Sequence, residues 1–224
     1  MSLDITRVEA VLFDLDGTLL DSAPDLGAAA NHLRLVRGLE PLPQSAYRPY
    51  VGTGARGMLR IALNVEPTAP NFEALKEEFF QAYEACMGQH SVLFEGVAAL
   101  IHALQGNGMK WGIVTNKSER FTLPIVAAEH VLSRALVVVC GDTTGHAKPH
   151  PEPLLEAARC LSVDADRCIY VGDDERDMVA ARAASMQSVA AAYGYLGGVQ
   201  DVELWRPDAS IKSCAELAGL LGLH

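Results

Sequence analysis

Two aspartates, Asp14 and Asp16, stand two residues apart directly after the apolar run of residues 11–13. Side chains of an extended strand alternate with a period of two, so both carboxylates point to the same side if the backbone stays extended. Two like charges side by side are costly unless a cation or a shared proton offsets them. Mg²⁺ prefers oxygen ligands and commonly works beside phosphate groups, so it is the natural cation for this pair. The structural alternative is a strand that ends in an ordinary turn, where Asp, Gly and Thr are common.

Segments rich in Val, Ile and Leu recur along the chain with little polar alternation, as in the strands of a parallel sheet covered on both faces. They predict strands at residues 8–14, 110–115, 136–140, 167–172 and 187–191. Helix-length segments are predicted at 96–107, 118–130, 151–161, 174–185 and 213–221. Strands that alternate with helices predict an α/β fold with a doubly wound, parallel-sheet, Rossmann-like core.

Residues 22–91 interrupt this alternation, because they contain no convincing strand and show helical spacing. The pattern predicts a core made of residues 1–21 and 92–224, with residues 22–91 as an inserted helical domain. An apolar stripe at residues 72–87, which includes Tyr83, is interpreted as the core of this helical domain. A second packing layer with no functional part is the alternative interpretation of the insert.

The chain carries a net charge of −10 and no cluster of Lys and Arg, which argues against a nucleic-acid surface. The same charge gives an anionic substrate no long-range steering, so local cations must bind it. Five scattered cysteines without a C-x-x-C pair favour reduced thiols. No apolar run approaches the ~20 residues of a membrane span, and residues 1–7 are too polar for a signal peptide. We therefore expect a cytoplasmic protein with neither a nucleic-acid nor a membrane partner, and its oligomeric state stays open.

Polar side chains follow the predicted strands at or just beyond the points where the strands end. They are Asp14, Asp16, Thr115, Lys148 and Asp173. A parallel sheet presents its reactive groups at the carboxyl ends of its strands, so these side chains are expected to meet there. Hydrolysis of a phosphomonoester needs a nucleophile, an acid for the leaving oxygen and positive charge near the phosphoryl group. A carboxylate such as that of Asp14 can attack phosphorus and form an aspartyl-phosphate.

Four short signatures contain these residues. They read Asp14-Leu15-Asp16-Gly17-Thr18, Thr115-Asn116, Lys148-Pro149 and Gly172-Asp173-Asp174-Glu175-Arg176-Asp177. In type, order and position at the ends of predicted elements, they resemble the four signatures of phosphatases of the haloacid dehalogenase superfamily. The helical insert likewise resembles the α-helical cap domain of one subclass of that superfamily, with candidate hinges near 21–24 and 89–92.

The resemblance implies a catalytic role for four of the matched residues. Asp14 is the nucleophile, and Asp16 is the general acid and afterwards the base that activates water. Thr115 offers its hydroxyl to a phosphoryl oxygen, helped by the backbone near Asn116, which is placed in substrate binding. Lys148 supplies a positive charge to the phosphoryl group and to Asp14.

Mg²⁺ is the cofactor that the resemblance implies. Its ligands are a carboxylate oxygen of Asp14, the backbone carbonyl of Asp16 and a carboxylate oxygen of Asp173. Asp177 lies one helical turn further on, in a supporting position from which it holds Lys148 or a metal-bound water.

Two further positions are less tightly defined by the pattern. Asp174 either contacts the metal ion or caps the following helix, whose dipole favours acidic residues at its start. Arg56 follows Gly52-Thr53-Gly54, which forms either a surface turn or a loop that lowers onto the active site. The planar guanidinium of Arg56 suits a carboxylate, so it is a candidate contact for a carboxylate of the substrate.

The resemblance covers essentially the whole chain and is closest to the phosphoglycolate phosphatase group. Arg120-Phe121 and residues 69–75 look like the corresponding segments of N-acetylmuramic acid 6-phosphate phosphatases. We therefore predict a Mg-dependent phosphomonoester hydrolase acting, through an aspartyl-phosphate, on a small phosphorylated metabolite that carries a carboxylate, as phosphoglycolate does. Hydrolysis of N-acetylmuramic acid 6-phosphate and a phosphoglucomutase-type phosphotransfer are the alternatives. A non-catalytic binding protein is disfavoured because every signature residue is present.

Overall fold

The computed structural model describes residues 3–199 and 201–223 of the chain. Its strands are β1 (Ala10–Phe13), β2 (Leu20–Asp21), β3 (Val92–Leu93), β4 (Lys110–Val114), β5 (Val138–Val139), β6 (Cys168–Gly172), β7 (Gln187–Ala191) and β8 (Ala209–Ile211). Six of them form one parallel sheet in the order β5-β4-β1-β6-β7-β8, and β2 pairs antiparallel with β3. The predicted α/β fold with a parallel sheet is confirmed.

The first four helices lie in the chain between β2 and β3, and the remaining helices lie between or after the later strands. The helices are α1 (Ala23–Leu35), α2 (Gln44–Tyr47), α3 (Gly54–Leu63), α4 (Phe72–Cys86), α5 (Val97–Gly106), α6 (Glu119–Ala128), α7 (Glu152–Leu161), α8 (Glu175–Ala183) and α9 (Cys214–Leu220). Short 3₁₀ turns lie at Arg48–Thr53, Leu132–Arg134, Ala165–Arg167, Leu196–Gly198 and Val202–Trp205. Among the helices in the described part of the chain, none has the length and apolar character that crossing a membrane requires.

Strand β1 lies inside the sheet, and its side chains alternate between the two faces as the period of a strand requires. Val11 and Phe13 pack into one hydrophobic cluster together with α5 and α9. Ala10 and Leu12 pack into a second cluster together with α7 and α8. All four side chains are at most 1% exposed. Because both faces are covered, the strand is apolar throughout and shows no polar alternation in the sequence.

Helices α1 to α4 form a block that is inserted in the chain between β2 and β3. Helix α1 packs against α3 and α4, and residues 22–91, all of which the structure describes, contain no strand. Phe79 and Tyr83 of the apolar stripe are each 1% exposed. The pairing of β2 with β3 brings the two ends of the block together. The sequence does not predict this pair, because two-residue strands are too short to show a periodic pattern.

Two strands of the large sheet differ from the sequence prediction. The predicted strand at 136–140 is reduced to the two residues of β5. Strand β8 is not predicted at all, since its residues are only partly buried and Ile211 alone is fully covered. Both strands lie at the edges of the sheet, where one side lacks a neighbouring strand and a continuous apolar run is not required.

Asp25 fastens the first turn of α1 to the segment that leaves the helical block. Its carboxylate is completely buried and accepts hydrogen bonds from the backbone N–H groups of Gly88, His90 and Ser91, at 2.8, 2.9 and 3.1 Å. The Ser91 hydroxyl donates to the same carboxylate at 2.5 Å. A single side chain therefore orders one of the two connections between the block and the sheet.

Replacing Asp25 by Ala should destabilise the protein, because the backbone donors of residues 88–91 lose their buried acceptor. We expect Asp25→Ala to lower the free energy of unfolding by about 2–3 kcal/mol, the scale of a hydrogen bond to a charged group. Urea denaturation measures this difference. The control is Asp166→Ala, which removes an exposed ion pair with Arg7 and should change stability by less than about 0.5 kcal/mol. Equal losses in the two variants would contradict the anchoring role of Asp25.

Candidate active site

Three neighbouring strands, β4, β1 and β6, are each followed directly by a polar residue at the same edge of the sheet. Thr115 follows β4, Asp14 follows β1 and Asp173 follows β6. These residues line one cavity of about 240 Å³, which Asp16 and Lys148 also line. The structure thus brings together the five side chains that the sequence places at or beyond strand ends.

The ammonium of Lys148 lies among four oxygen atoms, and the side chain is only 2% exposed. Its Nζ is 3.0 Å from Asp14 Oδ1 and 2.8 Å from Asp177 Oδ1. It donates to the carbonyl oxygen of Val114 at 3.0 Å and to the hydroxyl of Tyr170 at 2.6 Å. Burial alone would lower the pKa of Lys148, but the carboxylates of Asp14 and Asp177 raise it above its usual value. Lys148 therefore remains charged beside Asp14.

Asn116 fixes the backbone of Lys148. Its side-chain amide donates to the carbonyl oxygen of Lys148, and its Oδ1 accepts from the Lys148 N–H, both at 2.9 Å. The Asn116 side chain thus stabilises the loop that carries Lys148. The predicted contact of Asn116 with the phosphoryl group is therefore left to its backbone. Thr115 is 3% exposed, and its hydroxyl oxygen accepts from the backbone N–H of Lys117 at 3.1 Å.

Asp173 is held by two donors and approached closely by two glycines. Its Oδ1 accepts from the Thr18 hydroxyl at 3.1 Å, and its Oδ2 accepts from the backbone N–H of Tyr195 at 2.7 Å. A Cβ atom at Gly17 or at Gly194 would collide with the Asp173 carboxylate, and Gly17 also has a φ of +90°. Both positions therefore require glycine.

The carboxylates of Asp14, Asp173 and Asp177 form one cluster, with ligand oxygens within 4.8 Å of one another. Asp14 Oδ1 is buried, and within the described residues no donor meets hydrogen-bonding geometry with it, although Lys148 Nζ is close. Burial, together with the charges of Asp14 and Asp177, raises the pKa of Asp173 well above its usual range. Excess negative charge and a buried oxygen without a hydrogen-bond donor fit a divalent cation with oxygen ligands.

The side chain of Asp16 has a different set of partners from that of Asp14. The ammonium of Lys117 lies 3.1 and 2.9 Å from its two oxygens, and the Ser22 hydroxyl donates to it at 2.5 Å. Burial would lower the pKa of Lys117, but the Asp16 carboxylate raises it above the usual range. The sequence assigns no role to Lys117, and its place directly after Thr115-Asn116 is the signal that could have identified it.

Asp174 is the N-cap of α8. Its carboxylate accepts from the backbone N–H of Arg176 at 2.9 Å, and the Asp177 carboxylate accepts from the Asp174 N–H in return, which completes a capping box. The Arg176 guanidinium, despite the opposing effect of burial, holds the pKa of Asp174 below its usual range. Of the two roles left open by the sequence, the structure assigns the cap. Asp177 holds Lys148, as predicted for one of its two roles.

Arg56 lies apart from this constellation. It lines a neighbouring cavity together with Thr53, Glu175 and Trp205, and it is not among the residues that line the cavity of Asp14. Gly52 of the same segment does line the Asp14 cavity, and its carbonyl oxygen accepts from Arg176 at 2.5 Å. Of the two alternatives for this segment, a surface turn or a loop that approaches the site, Gly52 fits the second, while the Arg56 side chain lines the neighbouring cavity.

Comparison with known proteins agrees with this geometry. The sequence profile of the haloacid dehalogenase-like hydrolase family matches residues 11–191. A phosphoglycolate phosphatase of Xanthomonas campestris pv. campestris is 46% identical over 208 residues, which cover 93% of this chain and 94% of the relative. An N-acetylmuramic acid 6-phosphate phosphatase of Pseudomonas putida is 38% identical over 211 residues, covering 94% and 95%. The crystal structure of a predicted phosphoglycolate phosphatase from Haemophilus somnus has a TM-score of 0.85 at 25% identity, covering 97% and 99%.

The chain belongs to the haloacid dehalogenase-like hydrolase family, because the family profile and the curated relatives extend over most of its length. Within that family it is a phosphatase, as both groups of relatives are. The resemblance drawn from the four signatures is confirmed.

Replacing Lys148 by Met should reduce both stability and activity. The variant leaves Asp177 and the buried Oδ1 of Asp14 without their counter-charge, and we expect the free energy of unfolding to fall by about 3–5 kcal/mol. Loss of one such charge next to the reacting groups should also lower phosphate release at least ~10²-fold. Urea denaturation and a phosphate-release assay measure the two effects.

The double variant Lys148→Met/Asp177→Asn separates these effects. It removes one of the uncompensated charges, so stability should recover in part while activity stays low. A Lys148→Met protein with near-normal turnover would contradict the role of this ammonium.

Proposed function

We propose that the protein is a Mg²⁺-dependent phosphomonoester hydrolase that works through an aspartyl-phosphate on Asp14. The environment of Asp14 is the observation that carries this proposal. Its Oδ1 is buried and forms an ion pair with the ammonium of Lys148, 3.0 Å away, and no other donor within the described residues contacts it. A carboxylate has several lone-pair sites on its two oxygens, so one neighbouring ammonium leaves Asp14 with lone pairs for a cation or for phosphorus.

The chemistry divides into two displacements at phosphorus. An oxygen of Asp14 attacks, the bond from phosphorus to the alcohol oxygen breaks, and Asp16 donates a proton to that oxygen. A water molecule then attacks the aspartyl-phosphate, Asp16 accepts its proton, and inorganic phosphate leaves with Asp14 regenerated. Asp16 lies in the same cavity as Asp14, which both proton transfers require.

The phosphoryl group is bound by fixed neutral and positive groups. Lys148 places its charge beside Asp14, and the Thr115 hydroxyl lines the same cavity. Asn116 contributes through its backbone, because its side chain is bonded to the backbone of Lys148. These groups are in position before the substrate arrives, so little reorganisation is required at the moment of reaction.

Mg²⁺ would be held by carboxylate oxygens of Asp14 and Asp173 and by the backbone carbonyl of Asp16. When bound, the ion neutralises charge on the phosphoryl oxygens and helps to align them. Asp177 belongs to the same acidic cluster, and its contact with Lys148 places it in a supporting position.

We propose a small, carboxylate-bearing phosphate as the substrate, with 2-phosphoglycolate as the first candidate. The relative at 46% identity, a phosphoglycolate phosphatase, supports this choice, as does the modest volume of the cavity, about 240 Å³. N-acetylmuramic acid 6-phosphate is the second candidate, supported by the relative at 38% identity. Both compounds combine a phosphomonoester with a carboxylate. We further propose a cytoplasmic location, which the five cysteines support because each is a free thiol.

We also propose that residues 22–91 act as a cap that opens and closes over Asp14, with hinges at the segments around β2 and β3. Closure would exclude water from the first displacement. The cap and the core meet through Arg120 of α6, which forms ion pairs with Glu77 and Glu84 of α4 at 2.9 and 2.7 Å. These pairs favour the closed arrangement without burying charge.

Arg120→Met tests this closure. Exposed pairs contribute about 0.2–1 kcal/mol each, so we expect KM to rise about two- to fivefold and its dependence on NaCl to become flatter, with kcat little changed. Steady-state kinetics at several salt concentrations measure both effects. Arg159→Met is the matched control, because Arg159 pairs with Glu156 within α7 and leaves the cap untouched. The same kinetics in wild type and Arg120→Met would argue against the proposed closure.

Phosphate release tests the proposed function directly. The substrates are 2-phosphoglycolate, N-acetylmuramic acid 6-phosphate and p-nitrophenyl phosphate, each with Mg²⁺ and with EDTA. We expect phosphate release that requires Mg²⁺ and is strongest for one of the two substrates that carry a carboxylate. The variant Asp14→Asn should abolish it. Asp166→Asn, which changes an exposed carboxylate, is the control and should retain full activity. Interconversion of sugar phosphates without release of phosphate would instead identify a phosphotransferase.

A further inference from the structure

The cavity that contains Asp14 has a second, largely aromatic wall. Helices α4 and α6 contribute Phe79, Phe80, Tyr83 and Phe121 to its lining. A phosphoryl group held by Lys148 and Thr115 leaves the other end of a substrate to this wall. An apolar wall on its own would favour a hydrophobic leaving group and would reject an anionic one.

Three cationic side chains line the cavity, and each of them already has a carboxylate partner. Lys148 lies among four oxygen atoms at the nucleophile. Arg176 donates to both oxygens of Asp174 and to the carbonyl oxygen of Gly52. Lys117 is the third cation, and its carboxylate partner within the described residues is Asp16.

Tyr83 lies directly beside Lys117. The Lys117 ammonium is 4.8 Å from the centre of the Tyr83 ring, and Tyr83 is 1% exposed. Its hydroxyl is buried and has no hydrogen-bond partner within the described residues. Burial raises the pKa of Tyr83, so the hydroxyl keeps its proton and remains a hydrogen-bond donor. A buried hydroxyl without a partner is costly, and an acceptor that enters the cavity beside Tyr83 would remove this cost.

We propose that Lys117 and Tyr83 together bind the carboxylate of the substrate and thereby select acidic phosphomonoesters. This inference rests on the proposed phosphatase function and names the residues that recognise the leaving group. One carboxylate oxygen accepts from the Tyr83 hydroxyl, and the carboxylate shares the Lys117 ammonium with Asp16. Because Lys117 contacts Asp16, the bound carboxylate lies next to the side chain that protonates the leaving oxygen. Arg56, which lines the neighbouring cavity, is not required for this contact.

A pair of phosphonates tests the binding without turnover. In 3-phosphonopropionate a methylene replaces the ester oxygen of 2-phosphoglycolate, and propylphosphonate has a methyl group in place of the carboxylate. We expect the wild-type protein to bind 3-phosphonopropionate about tenfold or more tightly than propylphosphonate, as measured by titration calorimetry. Tyr83→Phe and Lys117→Met should each remove most of this preference.

The same comparison is made in kinetics with 2-phosphoglycolate and ethylene glycol monophosphate, which has a hydroxymethyl group in place of the carboxylate. The readout is the ratio of the two kcat/KM values. If Lys117 acts only by positioning Asp16, Lys117→Met lowers both values equally and the ratio stays unchanged. If it binds the carboxylate, the ratio falls towards one in Lys117→Met and in Tyr83→Phe.

Matched controls are Lys212→Met and Tyr50→Phe, which remove an ammonium and a hydroxyl at positions outside the lining of the cavity. Both should keep the wild-type preference.

The proposal is overturned if the wild-type protein does not prefer the carboxylate ligand, or if Lys117→Met and Tyr83→Phe retain the preference. Tyr83→Phe differs from the parent by one oxygen atom, so it keeps the test valid even if Lys117→Met does not fold. Absence of phosphate release by the wild type would refute the proposed function, while the phosphonate titrations would still decide this inference.

Discussion

The ammonium of Lys148 is buried between the carboxylates of Asp14 and Asp177, and the arrangement of the site depends on keeping this charge in place. A buried charge is tolerated only when it is paired and hydrogen-bonded. The remaining partners are the Val114 carbonyl and the Tyr170 hydroxyl, which come from the two strands on either side of β1. One side chain therefore joins three strands, and Asp14 is held beside Lys148 only when those strands pair in the correct register.

The grouping of several site residues could be predicted from the sequence, because the carboxyl ends of parallel strands all lie at the same edge of the sheet. Asp14, Thr115 and Asp173 follow apolar segments, and that pattern alone places them together. Lys148 lies on a loop without periodicity, so its position depended on the resemblance to a family. Asp174 could not be assigned, since an acidic residue at the start of a helix suits both a cap and a metal site.

The wall formed by the helical block could not be predicted, for a physical reason. Helical spacing identifies an apolar face, but it does not show which side chain of that face extends beyond the packed core. Tyr83 belongs to the stripe interpreted as core, and it is both buried and part of the cavity lining. Arg56, chosen for its chemistry, is placed in another cavity by the packing of α3. Such outcomes depend on how helices distant in the chain pack together.

Tyr195 connects the acidic cluster to the entrance of the helical block. Its hydroxyl accepts from the backbone N–H groups of Ser22 and Ala23, at 2.8 and 3.0 Å, and its own N–H donates to Asp173. Tyr195 therefore contacts both the start of the helical block and the Asp173 carboxylate. Linkage is reciprocal. If movement of the block changes the affinity of Asp173 for a cation, binding of the cation changes the equilibrium between the open and closed positions of the block by the same factor. An ion at Asp173 would then be an effector of opening and closing, and its concentration would set the fraction of molecules in which the cavity is accessible.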